Sequence, residues 1–164
     1  MSRLLERLRK YKDDRGMMAN LRCILVDNKK HRAWPALNRL GIAIKDDNAA
    51  YTAGFFATHP EETFTGNFGT TCKAIENKRS EVHGSDNKLT PTERRFQHML
   101  AAEKSEIYSR VLRMVRMAKS HDVSVNYEQL ETDMRYWDWG DRIKTEWAVA
   151  FWTQGAAPIS EEDT

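Results

Sequence analysis

The amino-acid sequence predicts an all-α protein in which two small helical bundles are joined by a polar connection. Apolar residues recur at intervals of three and four along most of the 164 residues, and capping residues stand before most of these stretches. No segment alternates apolar and polar residues for the length of a strand, since the alternation at residues 123–125 is too short.

Three helices are predicted in the first 41 residues. Ser2 can cap the first helix, Asp14 can cap the second, and the third occupies residues 35–40 and ends at Gly41. The apolar stripes of the first two helices are Leu4, Leu5, Leu8 and Tyr11, followed by Met17, Met18, Leu21, Ile24 and Leu25.

Two further helices complete the predicted first bundle. Asp46 or Asp47 can start a helix that stops before Pro60, and residues 68–78 form a weaker helix. Residues 77–89 have almost no apolar content, so we interpret them as part of an inter-domain connection. The predicted units are a first bundle at residues 1–79, the connection at 80–91, a second bundle at 92–157 and an acidic tail at 158–164.

The clearest helix start in the chain lies at residues 90–93. Thr90 precedes Pro91 and Glu93, which gives a capping box with proline at the first helical position. We predict one long helix from here to about Ser120, because a single face repeats at intervals of four and three with one charged exception. The residues of that face are Phe96, Leu100, Glu103, Ile107, Val111, Met114 and Ala118.

The last two predicted helices begin at Asn126 and Asp141 and carry most of the tryptophan residues. Trp137 and Trp147 fall on apolar stripes, so core positions are favoured for both. Trp139 stands at a helix end near Arg142, where burial is favoured and an exposed ring that stacks on a base or anchors a partner is the alternative. Gly155 and Pro158 end the last helix.

The net charge of +2 hides a strong segregation of charge. Residues 1–45 carry +8, residues 46–92 carry −3, residues 93–119 carry +4, and residues 120–164 carry −7. Segregated positive charge can bind a polyanion even when the mean charge is small.

The sequence gives no support for an enzyme or a metal site. The eight glycines are scattered, and no two of the five histidines have the spacing of a zinc pair on one helical face. We interpret Asp133, Asp138 and Asp141 as helix caps and solvated surface acids, and Cys23 and Cys72 are too few for a disulfide scaffold. We expect no catalytic residue, no cofactor and no metal ion.

The protein is predicted to be soluble and cytoplasmic. No apolar run approaches the roughly 20 residues that span a bilayer. Residues 1–12 are charged throughout and lack the apolar region of a signal peptide.

The predicted central helix carries a slanted basic band. Steps of three residues move its cations around the helix by about 60° each, and Glu106 before Arg110 is the one well-placed ion pair. Charge alone leaves two interpretations open, a phosphate-binding surface or an ordinary solvated face. The band consists of Arg110, Arg113, Arg116 and Lys119.

The chain resembles the CasB family, the small subunit of the type I-E CRISPR surveillance complex Cascade. In the second half the resemblance rests on residues 93–96, 102–104, 112–113, 125–127, 130 and 135–137 and on the aromatic helix that ends at Trp152. In the first half, Gly16, Ala19, Leu21 and Arg22 resemble the family's helix with a Leu-Arg-Arg sequence, although Cys23 replaces the second arginine.

The resemblance implies a non-catalytic helical subunit that is present in two copies and contacts the backbone and large subunits. Its basic face would hold CRISPR RNA and target DNA, including the displaced non-target strand, and so stabilise the R-loop. Arg22, Arg95, Lys104, Arg113 and Arg142 are the positions that the resemblance indicates. The other candidate nucleic-acid-binding residues come from the position of the charges on the central helix and are Arg94, Arg110, Arg116 and Lys119.

Two other functions remain open at this point. A helical adaptor that binds only protein would leave the basic blocks solvated. A helix-turn-helix regulator would need a short turn before a recognition helix, and the break at residues 28–34 is followed by a helix that is too brief.

Overall fold

The computed structural model describes residues 3–80 and 88–152 and confirms the all-helical fold, with no named strand in these ranges. The α-helices of the described residues are α1 (Arg3–Lys10), α2 (Arg15–Arg22), α3 (Trp34–Arg39), α4 (Asp47–Thr58), α5 (Phe68–Ser80), α6 (Pro91–Leu100), α7 (Lys104–Ser120), α8 (Tyr127–Arg135) and α9 (Arg142–Trp152). Two 3₁₀ helices, Cys23–Leu25 and Asp27–Arg32, lie between α2 and α3.

Several predicted features fall outside the described residues. These are the cap at Ser2, the end of the last helix at Gly155 and Pro158, residues 81–87 of the connection, and the acidic tail at 158–164.

Four of the predicted helix starts are confirmed by their hydrogen bonds. The side chains of Asp14, Asp46 and Asn126 each accept a bond from a backbone N–H three residues later, at 3.0–3.2 Å. Thr90 and Glu93 form the reciprocal capping box, with 3.1 Å for each bond. These local bonds satisfy N–H groups that a helix leaves free at its first turn, so a short sequence is enough to predict them.

The predicted long helix from residue 91 to residue 120 is wrong, because the chain forms α6 and α7 with a break at residues 101–103. Glu103, the charged exception on the predicted face, is the N-cap of α7, and its backbone N–H donates to Glu106 at 3.2 Å. The buried Trp137 indole donates to the carbonyl of Ala102 at 2.8 Å. At the break, helical hydrogen bonds are therefore replaced by the cap at Glu103 and by the buried hydrogen bond from Trp137 to Ala102.

A smaller correction applies to the second helix, which was predicted to run through Leu25. The α-helix ends at Arg22, and the chain continues as the 3₁₀ helix Cys23–Leu25. Such tightened turns are common at the ends of α-helices.

Helix α4 lies at the centre of the fold and is buried on nearly all sides. Every residue from 48 to 50 and from 52 to 57 is buried. It packs against α1, α2, α7 and α8, so it contacts elements from both halves of the chain. A helix that is buried on nearly all sides is apolar on most of its faces, its buried polar side chains are hydrogen-bonded, and its small residues let the neighbouring helices approach closely.

Contacts also cross the predicted boundary between the two bundles at α5. Helix α5 packs against α9, α6 and α7, and a single cluster of buried apolar residues includes members from both halves. Arg9 in α1 forms ion pairs with Glu62 at 2.8 Å and with Glu128 in α8 at 2.9 Å. The division into two bundles stays a prediction, and the described residues show extensive packing across it.

The crossing of α5 and α9 depends on Gly69. A Cβ atom at this position would overlap the backbone carbonyl oxygen of Trp147 and lie 2.8 Å from the carbonyl carbon. Phe68 packs on the Trp147 ring at a centroid distance of 5.4 Å, so the two helix backbones are nearly in contact.

No helix of the described residues is long and apolar enough to cross a membrane.

We predict that Gly69→Ala destabilises the protein by about 2 kcal/mol. The added methyl group forces α5 away from α9, which costs ~3 kcal/mol and outweighs ~1 kcal/mol of gained helix propensity. Urea unfolding followed by circular dichroism measures the change.

Gly16→Ala is the matched control, because its Cβ would meet nothing closer than an Asp14 side-chain oxygen at 3.6 Å. Equal stability of the two variants would contradict the close approach of α5 and α9.

Candidate nucleic-acid interface

Helices α6 and α7 form an antiparallel hairpin with a basic groove along its surface. Two long-range contacts give the direction, since Arg110 pairs with the carbonyl of His98 and Arg95 pairs with the sulfur of Met117. The three-residue break at 101–103 reverses the chain between the two helices. Arg95 of α6 is thereby brought opposite the basic band of α7.

We call this feature the α6–α7 groove, and it consists of two adjoining depressions. The first is lined by Arg95, Ser109, Leu112, Arg113, Arg116, Met117 and Ser120. The second is lined by Arg95, His98, Glu106, Ser109, Arg110, Arg113 and Met114. The two depressions share Arg95, Ser109 and Arg113, so they form one continuous surface.

The first depression contains three arginines and no acidic residue. Arg113 and Arg116 are exposed and form no hydrogen bond or ion pair with the described residues. Arg95 makes only a weak contact, with 3.7 Å between its guanidinium and the Met117 sulfur. The two helices thus present three guanidinium groups whose charge no residue of the described ranges compensates.

The second depression is partly neutralised. The Arg110 guanidinium donates to Glu106 at 2.5 Å and to the His98 carbonyl at 2.7 Å, as the four-residue spacing of Glu106 and Arg110 predicts. Free positive charge is therefore concentrated at the end of the groove near Arg113 and Arg116.

Arg94 and Lys119 flank the groove on α6 and α7. Both side chains are exposed, and neither has a hydrogen bond or ion pair with the described residues. They do not line either depression. They can extend the positive surface beyond the groove at its two edges.

Lys104 lies on the other side of α7. It is nine residues before Arg113, which places the two side chains about 180° apart on the helix. The Lys104 amine donates to the carbonyl of Met134 in α8 and lies 5.5 Å from the Tyr108 ring centre. Burial lowers the pKa of Lys104 below its ordinary value.

Arg22 and Arg142 also lie outside the groove. Arg22 donates to the carbonyl of Ala57 near the end of α4 at 3.0 Å. Arg142 pairs with Glu146 one turn along α9 at 3.0 Å, and both side chains are largely exposed. The structure thus brings together Arg95, Arg110, Arg113 and Arg116 from the candidate set and places Arg22, Lys104 and Arg142 elsewhere.

A shared pattern explains why many cations of the chain are not free. Basic side chains from other elements donate to carbonyls at the C-terminal ends of five helices, where backbone acceptors lack helical partners. These bonds join Arg7 to Leu40, Arg22 to Ala57, Lys78 to His121, Lys104 to Met134 and Arg110 to His98.

The groove also contains polar residues that charge counting did not identify. Ser109 and Ser120 line it, and their hydroxyl groups donate to the carbonyls of Glu106 and Met117 at 3.0 and 2.9 Å. Both serines are exposed and lie next to the arginines. The signal was present in the sequence, because each serine lies four residues from Arg113 or Arg116 on the same helix face.

The tryptophan residues divide into buried and exposed members. Trp137 and Trp147 are fully buried, which confirms their predicted core positions. Trp139 is 77% exposed and packs edge-on against Tyr136 at a centroid distance of 4.8 Å. The prediction that favoured burial of Trp139 is therefore wrong, and its ring is exposed. The residue follows the end of α8, where no element of the described ranges covers it.

The interpretation of Asp133 as a solvated acid is also wrong. Its carboxylate is buried and accepts hydrogen bonds from the Trp147 indole at 2.8 Å and from Gln129 at 2.9 Å. Burial raises the pKa of Asp133 above its ordinary value. In the described ranges no three His, Cys, Asp or Glu residues are grouped so as to hold a metal ion.

Comparisons with known proteins give a consistent result. Residues 7–152 match the family model described as CRISPR-associated protein Cse2. A crystal structure of a CRISPR-associated protein of the Cse2 family from Thermus thermophilus has a TM-score of 0.72 at 16% identity, covering 92% of this chain and 96% of that one. No curated protein sequence matches the chain.

Two further crystal structures have the same fold. A structure of CasB from Thermus thermophilus has a TM-score of 0.69 at 17% identity, covering 92% of this chain and 96% of that one. CasB from M. ruber has a TM-score of 0.65 at 18% identity, covering 92% of this chain and 93% of that one.

We predict that Lys104→Ala and Arg113→Ala differ in their effect on stability. Lys104→Ala removes a hydrogen bond to the end of α8 and the packing of the lysine stem, which costs about 1–2 kcal/mol. Arg113→Ala changes an exposed, unpaired side chain, and the free energy of unfolding stays within about 0.5 kcal/mol. Urea titration of both variants checks this, and an equal loss in both would contradict the described contacts.

Proposed function

Because the chain belongs to the Cse2 family of CRISPR-associated proteins, we propose that it is a non-catalytic subunit of the RNA-guided surveillance complex Cascade. In this role it binds nucleic acid along the α6–α7 groove. It stabilises the R-loop, including the displaced non-target strand, and acts in the cytoplasm without a cofactor.

One observation carries the proposal, the convergence of Arg95, Arg113 and Arg116 on one depression without an acidic residue. Arginine grips phosphate with a planar fork of donors and also stacks on bases. Because each cation is held on a helix rather than on a loop, its backbone is already ordered, and phosphate binding has to order only the side chains.

The arginines of α7 that line the groove suit a short stretch of one strand. Arg110 and Arg116 are six residues apart on α7, a distance of ~9 Å along the helix axis. This equals about three nucleotides at a rise of ~3.4 Å per strand. Sequence reading in such a complex is done by base pairing with the guide, so a surface without base-specific contacts is sufficient.

The other candidate residues are expected to contribute unequally to nucleic-acid binding. Arg94 and Lys119 are exposed and unpaired within the described residues, so they can add contacts at the edges of the groove. Arg22, Lys104 and Arg142 would first have to give up their present hydrogen bonds. We expect these three to contribute less to nucleic-acid binding.

Protein contacts are also part of the proposal. We expect the backbone and large subunits of Cascade and a second copy of the chain as partners. The exposed Trp139 and Tyr136 favour such contacts, because large aromatic side chains are enriched at protein interfaces. The same observation supports the second candidate function, an adaptor that binds only protein.

We predict that the isolated protein binds single-stranded DNA or RNA weakly, without sequence preference, and less tightly as salt rises. R113A/R116A should weaken binding on the order of tenfold and lower the slope of log affinity against log salt by about 2. Fluorescence anisotropy with labelled oligonucleotides across a salt series measures both quantities.

R15A/R39A is the matched control, since it removes two exposed arginines that have no partner in the described residues and that lie outside the groove. An equal loss of affinity in both double variants would reject the groove. The absence of any salt-dependent binding in the unaltered protein would favour the protein-only adaptor.

A second prediction concerns the assembled complex. Charge reversal in R95E/R113E should shorten the lifetime of the R-loop on a matched DNA target while the subunit still assembles. Single-molecule or gel measurements of target dissociation test this, with R15E/R39E as the control. An unchanged R-loop lifetime would remove the two groove residues from the interface.

A further inference from the structure

Part of the positive charge of the α6–α7 groove, at Arg95, Arg113 and Arg116, is uncompensated within the described residues, and this leaves it open to a nearby anion. Arg113 and Arg116 have no ion partner there, and Arg94 is exposed beside the groove. Guanidinium groups bind carboxylates with the same forked geometry that they use for phosphates. A tethered acidic segment would therefore suit this surface.

The end of α9 packs against α6, the helix that carries Arg95, on the side of α6 turned away from the groove. The Trp152 indole donates to the Glu93 carboxylate at 3.2 Å, and the ring lies 5.2 Å from that of Phe96. Glu93 and Phe96 stand on either side of Arg94 and Arg95 in α6. Residue 152 is thus held within about one helical turn of the first arginines of the positive surface.

The sequence after Trp152 has the charge and the length to reach the groove. It contains Glu161, Glu162 and Asp163 and no basic residue up to Thr164. The nine residues from Trp152 to Glu161 can span ~30 Å when extended. This exceeds the 10–12 Å diameter of a helix with its side chains, so the path around α6 is short enough.

We propose that the acidic segment at residues 160–164 binds the α6–α7 groove of the same chain and competes there with nucleic acid. This inference rests on the proposed function of the groove. A short tether gives a high effective concentration, so a few weak ion pairs occupy the groove for much of the time. A nucleic-acid strand that offers many phosphates to the groove displaces the acidic segment. A nucleic acid that makes only a few or short-lived phosphate contacts does not displace it.

The affinity of a labelled 20-nucleotide oligothymidylate for the full chain tests the proposal at low salt. E161Q/E162Q/D163N should bind about fivefold more tightly than the unaltered protein. In the R113A/R116A background the same neutralisation should leave the affinity unchanged, because the arginines that the segment binds are absent.

A matched control separates specific contact from a general change of net charge. E6Q/D13N/E61Q removes the same charge from exposed acids that do not line the groove. It should tighten binding by less than twofold. Equal tightening by the two triple variants, or no effect of the neutralised segment, would overturn the proposal.

A measurement without nucleic acid keeps this inference distinct from the proposed function. In the free protein, the side-chain Nε–H signals of Arg113 and Arg116 should shift in E161Q/E162Q/D163N and stay in place in the control variant. If no version binds the oligonucleotide, the proposed function fails, and unshifted arginine signals would then overturn the inference as well.

Discussion

The burial of α4 on all sides is the constraint on which the rest of the structure depends. Its alanines and Gly54 leave room for close neighbours, and a Cβ at Gly54 would meet Ile24 at 2.5 Å. Its polar groups are bonded to the surrounding helices, since Asn48 donates to the Glu131 carbonyl and accepts from Tyr108. Tyr127 closes the other end by donating to the carbonyls of Phe55 and His59, and burial raises the pKa of its hydroxyl.

Packing around α4 places the α6–α7 hairpin so that one face of α7 is buried and the other is open. Ile107, Val111 and Met114 point into the core, while Arg113 and Arg116 remain on the outer face. The core contacts of the buried face hold the hairpin in place, and helix periodicity then puts the arginines on the opposite, exposed face. Its arginines are positioned by the same contacts that stabilise the fold.

The basic side chains discussed above fall into two groups. Five basic side chains close the carbonyl ends of other helices, where they also complement the negative end of the helix dipole. A smaller set on α6 and α7 stays unpaired within the described residues. Blocks of charge along the sequence therefore overstate the surface that is free to bind a polyanion.

The sequence by itself determined the helical class and the N-caps at Asp14, Thr90 and Asn126, because those signals involve neighbours three residues apart. It left the start of α4 open between Asp46 and Asp47. It also determined the basic face of α7 through its spacing. Only the tertiary structure decided the break at Glu103, the burial of Asp133 and the hydrogen bond that holds Lys104 against α8. Each of these depends on a partner more than ten residues away, namely Trp137, Trp147 and Met134, and helical periodicity carries no information about such partners.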